Sequence, residues 1–321
     1  MFSGVGGFEL GIQNAMEKRG CGQKETEVEG CESVPVGKPN FGQHADCVGY
    51  SEIDKYAIQI YQKQFKGHKN YGDATKIKPE TLPDFDMLCG GFPCQSFSIA
   101  GKRGGFNDTR GTLFFDIARI VKVKRPKILF LENVKGLLNH NKGETFRVIL
   151  QTLDELGYDV QWQVLNSKNF GVPQNRERVF IIGNLRGTSR PKVFPFGATD
   201  RTSNKEDTKV CRCHTARYFK GGNGTHVKAL DIYNKNIKDE SPTLTDPMYN
   251  SIKVTDGLRI RKLTPIECER LQGFPDRWTE GLSDTQRYKT MDNAVTVNVI
   301  QAVAERIMTK AKANLGDTKD E

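Results

Sequence analysis

"KILFLENVKG" (residues 127–136) decides the fold. Its apolar run is short, nearly continuous and without helical spacing, which is the pattern of a strand buried on both faces. Glu132 ends the run and the chain turns directly after it. In open parallel sheets, functional groups gather beyond the carboxyl ends of the strands. Glu132 is therefore the first candidate site residue.

Outward from this strand the same alternation recurs. "DCVGYS" (46–51), "FDMLC" (85–89), "YDVQWQVLN" (158–166) and "RVFIIGN" (178–184) read as further strands. "DKYAIQIYQKQF" (54–65), "TLFFDIARIVKVK" (112–124) and "ETFRVILQTLDELG" (144–157) carry apolar residues at helical spacing, with Gly157 as a stop. Strand–helix alternation predicts an α/β fold, a parallel sheet with helices on both faces. Residues 184–258 differ: they are rich in Gly, Ser, Thr, Lys and Arg and lack periodicity, as in a small loop-rich second domain. Helical patterns return at 264–274 and 296–312, so residues 259–321 rejoin the first domain, residues 1–183. Residues 20–42 form a polar insertion, and the last nine residues form a tail.

The totals exclude several classes. The chain has 321 residues, 48 Lys and Arg against 39 Asp and Glu, and a net charge of +9. That balance suits a polyanionic partner such as nucleic acid, although a solvated basic face has the same composition. No stretch reaches the ~18 apolar residues of a membrane helix. No basic region followed by an apolar run marks a secretory signal. Eight cysteines in such a chain suit reduced thiols and a cytoplasmic location.

Four other groups of residues carry chemistry. "FSGVGGFELG" (2–11) is a glycine-rich turn opening into a helix, the kind of backbone that approaches a nucleotide-like cofactor closely. Glu52 follows the next strand, where a carboxylate can bind ribose hydroxyls, and Asp73 can meet an adenine amine. Both can equally be surface carboxylates. Cys94, in "GGFPCQSFS" (90–98), follows a strand end and precedes a glycine-spaced polar run. A cysteine and a carboxylate without a nearby histidine suit nucleophilic addition to an electron-poor ring. Arg176 and Arg178 are two apart, so they share one face at the start of a strand. There they can lower a thiol pKa, anchor Glu132 or hold a phosphate. "CRCH" (211–214) lacks the second pair of a zinc site, so no metal is expected.

Together "FSGVGGFELG", "GGFPCQSFS", "DTRGTLFFDIARI", "ENVKGLL", "QNRERVFIIG", "RKLTPIECERLQGFPD" and "DNAVTVNVI" resemble, in this order, the bacterial cytosine-5 DNA methyltransferases. The resemblance covers nearly the whole chain and is weakest at 20–45 and 184–258. It implies a doubly wound methyltransferase sheet, with residues 184–258 as a target-recognition domain. Cys94 is then the nucleophile toward carbon 6 of a cytosine flipped out of the duplex. Glu132 bonds nitrogen 3 and the exocyclic amine, and Arg176 and Arg178 complete the site. Phe2, Gly4, Gly6, Glu52, Asp73, Leu113 and Asn293 match positions that hold S-adenosylmethionine. Residues 96–110 match a lid that closes on DNA. Gln95, Ser96 and Arg110, with Arg217, Lys220 and Thr243 of the second domain, are the candidate DNA contacts. The partner is double-stranded DNA, with a cognate restriction endonuclease as a functional partner, and one chain supplies every motif, as in a monomer.

Two features depart from that pattern. Asp292 stands where glycine is usual, and only Met1 and Phe2 stand where the family has a strand, so either a start upstream of Met1 or a truncated gene is expected. Two other readings share these motifs: a tRNA cytosine methyltransferase, and a truncated DNA-binding remnant without catalysis.

Overall fold

The computed structural model describes residues 1–21, 46–93, 113–188, 191–197, 228–231, 236–238, 241–242, 253–255 and 260–309. Its first five strands are β1 (Met87–Gly91), β2 (Ile128–Val134), β3 (Tyr158–Asn166), β4 (Gln174–Asn175) and β5 (Glu177–Leu185). Four of them form one sheet in the order β1-β2-β5-β3. The helices are α1 (Gly7–Cys21), α2 (Lys55–Gln64), α3 (Leu113–Lys124), α4 (Glu144–Glu155), α5 (Pro265–Leu271), α6 (Asp284–Asn293) and α7 (Val297–Thr309).

The sheet is covered on both sides, and alternation along β2 shows how. Leu129 and Leu131 face α3 and α4, in a cluster with Ile117, Ile149 and Ile181. Phe130 faces the other way, packed with Phe8 of α1 and Val299, Ile300 and Val303 of α7. Leu129, Phe130 and Leu131 are fully buried. Each such side chain contributes about 1.5–3 kcal/mol of burial, so a two-sided strand must be apolar at every position. This is the doubly wound α/β arrangement predicted from the sequence.

Two expectations are corrected. The sheet is mixed, because β5 runs antiparallel to both β2 and β3, whereas β1 and β2 are parallel. A parallel return needs a crossover of a dozen or more residues. Only the short link between Asn166 and Glu177 joins β3 to β5, so the chain turns back beside itself. The strand expected at 46–51 is also reduced, to a single parallel bridge between Tyr50 and Asn70.

A second, antiparallel sheet has the order β10-β9-β6-β7, from β6 (Lys228–Asp231), β7 (Asn236–Lys238), β9 (Lys253–Thr255) and β10 (Ile260–Lys262). It extends past residue 258, the boundary read from composition. A short parallel pair, β4 with β8 (Ser241–Pro242), ties this part of the chain to the segment just before β5.

The glycine turn owes its composition first to packing. A Cβ on Gly7 would stand 2.7 Å from Val295, and one on Gly11 would stand 2.7 Å from Ile300. Helix α1 therefore lies directly on α7. Gly4 differs, with φ +55° and nothing within 4 Å of a would-be Cβ, so it faces open space.

Candidate active site

The carboxyl ends of β1 and β2 meet the beginnings of α1 and α7. A Cβ on Gly91, the last residue of β1, would stand 3.1 Å from Glu132 Oε2, 3.9 Å from Val295 and 4.0 Å from Phe8. Glycine at position 91 thus leaves room for the Glu132 carboxylate. Glu132 is buried, and Arg178 Nε lies 3.1 Å from its Oε1. Burial pushes the Glu132 carboxyl above its ordinary range, and the nearby charges of Arg178 and Arg176 offset this only in part. A carboxyl held up in this way keeps its proton to higher pH than an exposed glutamate does.

Arg176 does not share this contact. Its Nη2 donates to the carbonyls of Asp292 and Ala294, both at 2.9 Å. Burial lowers its pKa to about 10, helped by the charge of Arg178. The two arginines expected to point into one crevice therefore have different partners.

Asn133 was not among the residues singled out from the sequence. It is 2% exposed, and its Nδ2 donates to the Phe92 carbonyl at 2.8 Å. Phe92 is itself buried, 5.5 Å between ring centroids from Phe114 of α3. The chain is thus fixed two residues before Cys94. Cys94, Gln95, Ser96 and Arg110 lie outside the described residues, as do Arg217, Lys220 and Thr243.

Of the residues matched to a cofactor pocket, Gly4 and Glu52 are bonded directly, and Asp73 follows the Gly72 that Asn70 ties to Glu52. Glu52 Oε2 accepts the Gly4 N–H at 2.8 Å, and Oε1 accepts those of Ile53 and Asp54. Ser3 N–H bonds to the Ser51 carbonyl, and Ser51 Oγ donates to the Gly72 carbonyl at 2.7 Å. Asn70 stitches Glu52 to Gly72 through its side-chain amide. Asp73 caps the next turn through the Thr75 N–H and hydroxyl, and these bonds hold its carboxyl below the usual range. Arg119 of α3 donates to the Ala74 carbonyl, which fixes the helix that begins at Leu113. Phe2 takes a left-handed φ of 54°, and Gly6 a φ of 88°. Asn293 is the exposed last residue of α6, and Trp278 Nε1 donates to the Val5 carbonyl at the glycine turn. Ile53, 72% exposed beside Glu52, is a further apolar surface that periodicity did not reveal.

The family model for C-5 cytosine-specific DNA methylases matches residues 1–309. The chain belongs to this family. It is a cytosine-5 DNA methyltransferase, and S-adenosylmethionine is its methyl donor. Among relatives, the Type II methyltransferase M1.ScrFI of Lactococcus lactis subsp. cremoris is 44% identical over 80% of this chain and 71% of its own length. M.HpaII of Haemophilus parainfluenzae is 38% identical over 97% and 88%, and M.HhaI of Haemophilus parahaemolyticus is 34% identical over 96% and 92%. Among solved structures, the S. pombe Dnmt2 methyltransferase superposes with a TM-score of 0.63 at 17% identity, covering 98% of this chain and 97% of the other. That likeness bears on the fold alone. The methylase's own residues fit the methyl donor: the open side of Gly4 lies beside the Glu52 carboxylate, with the exposed face of Ile53 adjoining. Among the described residues, no group of His, Cys, Asp and Glu could hold a metal ion, and no helix is long and apolar enough to cross a membrane.

Proposed function

We propose that this methylase modifies a cytosine swung out of duplex DNA within one short recognition sequence, as the protecting half of a restriction–modification pair. The observation that carries the reading is the Glu132–Arg178 pair at the strand ends, beside the fixed Phe92 backbone that leads to Cys94. The Cys94 thiolate adds to carbon 6 of the ring and forms a C–S bond. The electron pair of the carbon 5–carbon 6 double bond moves into the ring, where Glu132, in its protonated form, donates a hydrogen bond or proton at nitrogen 3. Arg178 holds the Glu132 carboxyl in place for this exchange. Carbon 5 then takes the methyl group. A water molecule takes the carbon 5 proton, and the C–H electron pair re-forms the carbon 5–carbon 6 double bond. The C–S bond breaks to release the thiolate, and nitrogen 3 returns to Glu132 the proton it received. S-adenosylmethionine, when bound, supplies the methyl as an electrophile. Gly4, Glu52, Asp73 and Asn293 would hold it, with Phe2, Gly6 and Leu113 around it and Ile53 as an apolar contact.

Residues 184–258 are read as the target-choosing domain, with Arg217, Lys220 and Thr243 as DNA contacts there and Gln95, Ser96 and Arg110 in the catalytic loop. The protein acts as a monomer on DNA in the cytoplasm, at the nucleoid. A tritium-transfer assay on duplex DNA and on tRNA tests the substrate. Label in DNA supports the reading, and label confined to tRNA contradicts it.

A further inference from the structure

Arg176 lies 3% exposed, and the two carbonyls it holds, Asp292 and Ala294, flank Asn293. A chain of buried polar groups backs the same turn. The Arg176 carbonyl accepts the Ser167 N–H at 3.0 Å. The Ser167 and Thr296 hydroxyls are 2.8 Å apart, and Thr296 Oγ1 donates to Gln272 Oε1 at 2.8 Å. Gln272 Nε2 in turn donates to the Met291 carbonyl, and its main-chain carbonyl accepts the Val297 N–H at 2.9 Å. Ser167, Gln272 and Thr296 are 3%, 0% and 4% exposed.

Apolar side chains of the same size would fill this volume without the cost of burying polar groups. A connected polar chain instead fixes geometry, since each hydrogen bond has one direction and one length. In Arg176 only Nη2 is so engaged, while the buried Nε and Nη1 have no hydrogen-bond partner among the described residues. Arg176, Gln272 and Ser167 each bond to residues in or beside the turn between α6 and α7, and Asn293 is the residue that the turn presents outward.

We infer that Arg176, Ser167, Gln272 and Thr296 are positioning residues for Asn293, so that Arg176 serves the cofactor side of the crevice and Arg178 the base side. The inference rests on the reading of Asn293 as a cofactor contact. A loosened turn would weaken cofactor binding while leaving the chemistry at the cytosine intact.

The test is calorimetric binding of S-adenosylhomocysteine to the full chain, with steady-state kinetics on DNA. Thr296→Val keeps the shape and removes the hydroxyl, and Thr296→Ser keeps the hydroxyl. Thr296→Val and Arg176→Lys should each weaken binding roughly fivefold or more, the scale of one lost buried hydrogen bond. For Thr296→Val the KM for S-adenosylmethionine should rise in parallel, with kcat and the KM for DNA within about twofold of wild type. Thr296→Ser should bind as wild type. Asn293→Ala serves as the reference. If it weakens binding while Thr296→Val leaves binding unchanged, the inference is overturned and the reading of Asn293 stands. If Asn293→Ala itself binds as wild type, both fall. Arg176→Lys can fail to fold without affecting the test, because Thr296→Val carries it.

Discussion

Arg178 Nε meets Glu132 Oε1 at 3.1 Å, diagonally across the antiparallel strands β5 and β2. The register sets Glu132 opposite Phe180 and Val134 opposite Arg178, so the two charged side chains share a face two residues apart. The contact depends on strand direction. Because β5 is reversed, its first residues lie at the carboxyl end of β2. A parallel β5 would carry Arg178 to the opposite end of the sheet. The single reversal in an α/β sheet therefore builds the charged part of the site.

Replacing Glu132 by Gln should separate activity from stability. Burial raises the Glu132 carboxyl above its ordinary value of 4.5. Between that value and the raised one, the folded protein holds a proton that the unfolded chain has lost. The group's stabilising contribution is thus complete below about pH 4.5 and is lost as pH rises through the folded pKa. Glu132→Gln should abolish methyl transfer, while its stability relative to wild type improves steadily from pH 4.5 upward until that titration is complete. Thermal melts of both proteins from pH 4.5 to 8 measure this. A constant difference across the range would show that Glu132 titrates normally.

Gly11→Ala and Gly4→Ala should fail in different ways. A Cβ on Gly11 meets Ile300 at 2.7 Å and the Val297 carbonyl at 3.0 Å, which should cost about 1–3 kcal/mol through overpacking of α1 on α7. At Gly4 there is room but a left-handed φ, so about 1–2 kcal/mol is expected there from backbone strain. The added methyl at Gly4 also enters the space assigned to the methyl donor. Binding of S-adenosylhomocysteine should drop in Gly4→Ala and be retained by the folded fraction of Gly11→Ala. Equal affinities in the two variants would separate Gly4 from the cofactor.

Glu269 should be a stability residue without a role in chemistry. It is fully buried and accepts the N–H groups of Arg277 and Thr279 at 2.7 and 2.9 Å, the Thr279 hydroxyl, and Arg287 Nη2 at 3.0 Å. Glu269→Ala leaves the Arg277 and Thr279 donors without that acceptor and takes the nearest carboxylate from Arg287, which keeps Asp284 and Thr279 Oγ1, a loss of about 3–5 kcal/mol. Urea unfolding should show a lower midpoint with an unchanged slope. A shift under about 1 kcal/mol would mean that water replaces the carboxylate there.

Affinity for DNA should fall steeply with salt, because phosphate contacts dominate such binding and the chain carries a net charge of +9. Titrations of labelled duplex at several salt concentrations read the slope. A flat response would argue against an extended basic groove.

Period and composition made much of this legible, and the misses have physical causes. β2 and α4 were read directly, because a doubly buried strand and an amphipathic helix leave unmistakable spacing. The direction of β5 was not, since a buried strand has the same apolar run either way. The length of the link before it was the available clue. Helix α6 was missed because "DTQRYKTMDN" (284–293) is almost wholly polar and buries only Thr290 and Met291. The strand expected at 46–51 narrows to one bridge, with Gly49 at φ +145° closely overlaid by Tyr71. Glu132, Arg178, Gly4 and Glu52 stood out by residue type and place, and the structure pairs Glu132 with Arg178 and Gly4 with Glu52. Asn133 and the partners of Arg176 did not, because a side chain that holds a backbone carbonyl is identified only once that carbonyl is in position.

Bisulfite sequencing of plasmid DNA from a methylation-free bacterial host, expressing either this chain or its Cys94→Ala variant, tests the central claim most directly. The account predicts protected cytosines at one short recurring sequence with the wild-type chain. It predicts none with Cys94→Ala, although that protein still binds the duplex. Protection by Cys94→Ala, or none by soluble wild-type protein, would contradict it.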